Sequence, residues 1–140
     1  VKIEKISKPS IGIGVVLLWE NNVLLIQRDT PPKQGTWSIP GGKQEFGETM
    51  KQAATREVKE ETGLIIQEEK LKLLDVADMI QLPHFHYSLI DFYVTEFSGE
   101  LKAGSDAKDA RWVPLDDLSD YQIWAETARV IRMAIEKSSQ

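Results

Sequence analysis

The chain has 140 residues, 41% of them hydrophobic and 28% charged, with a net charge of −5. This length and composition predict one globular domain over 1–140, and the acidic balance argues against polymeric nucleic acid or an acidic membrane surface as partners, because both need a basic surface. A nucleotide-sized anion held through metal ions stays compatible with it. There is no cysteine, which excludes disulfides, thiolate catalysis and cysteine-ligated zinc and is compatible with a reducing, cytoplasmic setting. Residues 1–10 carry Lys2, Lys5 and Lys8 without the apolar centre of a secretory signal. The run 15–19 is too short to span a bilayer.

In chain order, 11–19 is rich in β-branched and aliphatic residues and predicts a buried strand. Asn21-Asn22 suits a tight turn, and 23–28 the return strand of a hairpin. Pro31, Pro32 and Gly35 make 29–36 a loop. Residues 37–39 form a short extended piece before Pro40, which keeps Ile39 out of the helical region. A helix over 49–62 ends at Gly63. Strands follow at 71–80 and 84–95, with Leu82-Pro83 turning between them. The segment 99–104 is a loop with some extended character, and 110–113 is a short strand. A last helix over 125–137 shows Ala125, Ala128, Ile131, Ala134 and Ile135 as its inward stripe. Strands flanked by helices imply an α/β layered domain, and the early hairpin makes its sheet mixed.

The first helix carries the chemistry. At about 100° per residue, Met50, Ala53, Ala54 and Val58 share one face, and Glu57, Glu60 and Glu61 fall in the same arc. Lys51, Gln52, Thr55, Lys59 and Thr62 point away. Clustered carboxylates on a packed face repel one another unless a cation neutralises them. Magnesium suits this set, since it takes oxygen ligands from a few carboxylates, waters and phosphates. Glu57 and Glu61 lie one turn apart and can reach one ion. Gly41 and Gly42 allow close backbone approach, so a main-chain carbonyl there could be a further ligand. Arg56 sits at the edge of the acidic arc and can pair bidentately with a carboxylate.

From Gly42 the chain reads Gly, five residues, Glu48, seven residues, then Arg56-Glu57-Val58-Lys59-Glu60-Glu61-Thr62-Gly63-Leu64. This segment, 42–64, resembles the signature of the Nudix hydrolase family at every fixed position, and the flanks Trp37-Ser38-Ile39-Pro40-Gly41-Gly42 and Ala110-Arg111-Trp112-Val113-Pro114-Leu115 resemble the family too. The resemblance implies a Nudix-type α/β/α sandwich with a mixed central sheet. It implies Glu57, Glu60 and Glu61 as divalent-metal ligands with the Gly41 carbonyl. Mg2+ is the expected ion, with Mn2+ able to substitute. Glu48 becomes the partner of Arg56, the two together holding Glu57. The reaction implied is hydrolysis of a nucleoside diphosphate linked to another moiety, by in-line attack of water on phosphorus.

Several assignments stay open at this level. The general base is Asp106, in the loop before the last strand where some relatives carry Glu, or else Glu57; Gly104-Ser105-Asp106 is also ordinary turn composition. Arg28 and Gly42 are candidate substrate contacts, Arg28 being equally readable as a surface arginine. Gly41-Gly42-Lys43 lacks the spacing of a P-loop. His84 and His86 share a face if they lie on one strand, where they could bind metal or act as acid and base, but they read best as ordinary strand or loop residues. Trp19, Trp37 and Trp112 read as structural. The tail 86–118 most resembles small ADP-ribose pyrophosphatase-like members, so ADP-ribose or a similar nucleotide sugar is the favoured substrate. A MutT-like pyrophosphohydrolase of nucleoside triphosphates, oxidised ones included, is the enzymatic alternative. A non-catalytic nucleotide-sensing module is the alternative of another class, although no carboxylate of the segment is missing. Relatives also allow a homodimer.

Overall fold

Alternation along the first strand sets up two cores. In β1 (Ser10–Trp19), Ile13, Val15 and Leu17 point to one side of the sheet, and Val16 and Leu18 to the other. The computed structural model describes residues 8–29, 35–104 and 107–140. The start of the chain, most of the loop 29–36 and Asp106 therefore fall outside the described residues.

The elements that follow are β2 (Asn22–Arg28), β3 (Trp37–Ser38), β4 (Gly41–Lys43), α1 (Met50–Thr62), β5 (Leu64–Ile65), β6 (Lys72–Gln81), β7 (Phe85–Val94), β8 (Ser98–Gly99), β9 (Ala107–Pro114) and α2 (Ala125–Ser138), with 3-10 turns at Glu68–Lys70 and Leu115–Asp120. The main sheet runs β3-β2-β1-β7-β6, with β9 added to β2 and β4 to β1. β1 and β7 are parallel, and the other pairings are antiparallel, so the sheet is mixed. The edge of β1 away from β7 is shared. Its end, Leu18-Trp19, pairs with β2, while Gly12 to Gly14 pair with β4.

α1 packs Ala53, Ala54 and Val58 against Ile13, Val15, Leu24, Phe92 and Val94. On the opposite side α2 sets Val130, Ile131 and Ala134 against Val16, Leu18, Leu74 and Tyr93. The result is the predicted sandwich of helix, sheet and helix. α2 covers only one end of its side. Gly12, Gly14, Tyr87, Leu89 and Asp91 are left as the floor of an open cavity. Among the described residues no helix is long and apolar enough to cross a membrane.

Several sequence expectations need correction. The hairpin turns at Glu20-Asn21, one residue earlier than expected, because Glu20 takes the left-handed conformation (φ 55°) and Asn22 already pairs with Trp19. The glycine bend is a strand, β4, since Gly41 and Gly42 join the sheet edge. β9 is longer than expected at both ends. On α1, Met50 is 43% exposed, and Thr62 is fully buried. Thr62 turns inward because its hydroxyl donates to Val58 O (2.6 Å) and accepts from Leu64 N–H (3.2 Å). On α2 the buried face centres on Val130, Ile131 and Ala134, and Ala125 is exposed.

Leu24 is fully buried between the sheet and α1. Leu24→Ala is expected to cost about 2–5 kcal/mol of unfolding free energy, read as a lowered urea midpoint with an unchanged slope. A change under about 0.5 kcal/mol would contradict this packing.

Candidate active site

The start of α1 is fixed by a capping box. Thr49 Oγ1 accepts from Gln52 N–H at 3.0 Å, and Thr49 N–H donates to Gln52 Oε1 at 2.9 Å. The end is fixed by Gly63, whose φ of 76° lets its N–H reach Lys59 O at 3.0 Å. Between these stops the helix phase is set, and with it the direction of the carboxylates.

Arg56 is the hub of the site. Its Nε and Nη2 donate to the two oxygens of Glu48 at 2.7 and 2.9 Å, the fork geometry that only a guanidinium provides. Nη1 donates to Glu57 Oε1 at 2.8 Å and to Glu60 Oε2 at 3.3 Å, and Nη2 reaches Lys43 O at 3.0 Å. One side chain thus ties β4, the following loop and the acidic face of α1 together. The Arg56 hydrogen bonds, helped by the Glu45 N–H, hold the Glu48 carboxyl down at about 2. Arg56 itself is pushed above its ordinary value, first by its hydrogen bonds to Glu48.

Glu61 is held differently. It is 4% exposed, and its Oε1 accepts from Gly41 N–H at 2.8 Å. Gly42 is required by a close approach: a Cβ there would run into the Glu57 carboxylate. Glu57 and Glu61 are brought beside β4, whereas Glu60, one turn along, is exposed and tied to Arg56. Among the described residues no three carboxylates or imidazoles close into a ready-made cage. The donor set fits magnesium nevertheless, because that ion takes only one or two carboxylates and leaves its other positions to water and phosphate.

Through β4 the acidic end adjoins the cavity of about 860 Å³ on the α2 side, which both Gly41 and Gly42 line. Arg28 lines it too, at the end of β2 where the pairing with β9 is irregular. Its apolar wall includes Ile39, Phe85, Tyr87, Leu89 and Trp124. His84 and His86 do not act as a pair: His84 lies in the turn before β7 and lines the cavity, whereas His86 sits in the strand opposite Ile80. Trp37 is buried against Tyr121, and Trp19 packs on Trp112. Asp106 lies outside the described residues. Of the described residues flanking it, Gly104 N–H donates to Glu61 O (3.1 Å) and Ala107 N–H to Gly104 O (3.0 Å).

Sequence reading missed Asp91, Ser38, Trp124 and Glu126, all of which line the cavity. A lone acid inside the apolar run from Leu89 to Val94 was the available signal for Asp91.

Two outcomes follow from this geometry. Gly42→Ala should displace the Glu57 carboxylate and lower activity by about 10–100-fold, with the melting temperature changed far less than the rate. The Glu48–Arg56 contribution to stability should be complete above about pH 5 and fade as the pH falls toward 2, because the folded protein holds Glu48 ionised below its ordinary range. Melting curves of the wild type and Glu48→Gln should therefore converge in acid and separate at neutral pH.

Residues 8–134 match the NUDIX domain family. The chain is 39% identical over 110 residues to an ADP-ribose pyrophosphatase of Methanocaldococcus jannaschii, a match taking in 79% of this chain and 64% of that protein. It is 40% identical over 101 residues to an 8-oxo-dGTP diphosphatase of Proteus vulgaris, across 70% of this chain and 88% of the relative. A MutT NUDIX hydrolase from Burkholderia pseudomallei superposes with a TM-score of 0.82 at 28% identity, over 91% of this chain and 98% of that one. The matched part spans just under two thirds of the length of the first of these curated relatives. The sandwich, the acidic helix end braced by Arg56 and these likenesses agree: the chain belongs to the NUDIX family.

Proposed function

We propose that the protein hydrolyses the phosphoanhydride of a nucleoside diphosphate linked to another moiety, with ADP-ribose or a similar nucleotide sugar as the favoured substrate. The observation that carries this is the position of β4, which borders the acidic end of α1 and also walls the cavity. A nucleoside lodged in the cavity would lead its phosphates over the glycine edge to the carboxylates. The identity shared with the Methanocaldococcus jannaschii ADP-ribose pyrophosphatase supports the same reading.

Glu57, Glu60 and Glu61, with the Gly41 carbonyl, would hold Mg2+, or Mn2+ in its place. Such an ion, when bound, neutralises diphosphate charge and makes water a stronger nucleophile. The chain's own residues do the rest. Arg56 and Glu48 orient Glu57, and Gly41 N–H orients Glu61. Arg28 meets a phosphate at the cavity mouth, and Gly42 lets the chain pass close to it. Water attacks phosphorus, the bond to the bridging oxygen breaks, and Asp106 or Glu57 accepts the water's proton. ADP-ribose and water would yield AMP and ribose 5-phosphate.

The match to 88% of the Proteus vulgaris 8-oxo-dGTP diphosphatase favours a second reading, release of pyrophosphate from nucleoside triphosphates. Products separate the two: a monophosphate with a sugar phosphate, or a monophosphate with pyrophosphate. The expected result with magnesium is AMP and ribose 5-phosphate from ADP-ribose; no metal-dependent turnover of either substrate class would overturn both readings. Glu61→Gln should lower turnover at saturating magnesium by at least about 100-fold, and near-normal turnover would remove Glu61 from the metal site. Asp106→Ala should lower turnover while sparing metal affinity, and an unchanged rate across pH would leave Glu57 as the base.

A further inference from the structure

The cavity floor holds a carboxylate that the chemistry above does not use. We propose that Asp91 selects the nucleobase, its carboxyl group meeting the hydrogen-bonding edge of a purine seated in the cavity and preferring adenine when protonated. This rests on the nucleotide reading given above.

Asp91 lies in β7 and is 6% exposed, yet it lines the cavity. It faces Gly14 of β1 in register, and a Cβ on Gly14 would strike the Asp91 carboxylate, so the glycine makes its room. No described residue donates a hydrogen bond to Asp91. A second polar group lines the same cavity: Ser38 Oγ is buried without a partner among the described residues. Buried polar atoms are normally satisfied, and two left open beside an apolar wall are the arrangement of a site awaiting a polar ligand edge.

The neighbours decide which edge. From α2, Glu126 and Arg129 face Asp91, and from β6, Asp75 does. Arg129 is already engaged, its Nη2 donating to Asp75 Oδ2 and to Glu126 Oε1 at 2.6 Å each. Burial first, then the charges of Glu126 and Asp75, push the Asp91 carboxyl up to about 6, with Arg129 opposing. A protonated carboxyl offers one donor beside one acceptor. Adenine presents the complementary pair, an amino N–H beside a ring nitrogen. An ionised carboxyl offers two acceptors, which suit guanine's ring N–H and amino group. The adenine-over-guanine preference should therefore fall as the pH rises through the Asp91 titration.

The test is direct binding of AMP and GMP, with magnesium, from pH 5 to pH 8, so that no catalytic step enters. Effects on the phosphate or the metal are common to both ligands and cancel in the ratio. In the wild type the AMP preference is expected to fall at least about tenfold across this range. Asp91→Asn, whose amide carries a donor and an acceptor at every pH, should keep the AMP preference and lose the slope. His84 and Arg28 also line the cavity, so the series is repeated with His84→Gln; a slope lost there and kept in Asp91→Asn would overturn the proposal. So would a flat ratio in the wild type, or binding of neither nucleotide. Turnover of ADP-ribose in the same preparations reports separately on the hydrolase reading.

Discussion

The guanidinium of Arg56 is the constraint on which the site depends. Its five N–H donors are set in a rigid plane, and Glu48, Glu57, Glu60 and Lys43 O receive them. Without that fork, the acidic face of α1 would be a set of mutually repelling carboxylates free to turn into solvent. With it, Glu57 is aimed at the glycine strand and the loop before the helix is closed. A lysine could supply the charge but not the plane.

β4 gives this local arrangement its function. Three residues long and paired only with β1, it is thin enough for one element to serve both faces of the sheet. On one face Gly42 admits the Glu57 carboxylate and Gly41 N–H holds Glu61, and on the other both border the cavity. On the proposed reading, binding and chemistry are separated by a single strand, the spacing a nucleotide with an extended diphosphate needs. The division depends on α2 as well. By covering only one end of its side of the sheet, α2 leaves the cavity open.

Two buried carboxylates show how differently the fold treats one functional group. Glu61 is given a backbone N–H, which satisfies its charged form and fixes its direction. Asp91 is given space by Gly14 and negative neighbours, with the nearby arginine engaged elsewhere. The first suits a permanent ligand role. The second suits a group whose protonation state changes with what it binds.

The sequence by itself determined the layers and the acidic helix end. The β-branched run of β1, the Gly63 stop of α1 and the glutamate spacing are local signals, and periodicity with a C-terminal glycine reads them directly. It also showed Arg56 at the margin of the acidic arc, with Glu48 as its partner through the family likeness. Only the tertiary structure decided that the glycine bend joins the sheet, that Thr62 turns inward and Met50 outward, and that Asp91, Ser38, Trp124 and Glu126 meet around one cavity. Those residues come from separate parts of the chain (Ser38, Asp91 and the start of α2) and share no period. Their meeting is fixed by strand register between β1 and β7 and by where α2 comes to rest, and these are long-range choices that local sequence pattern does not encode.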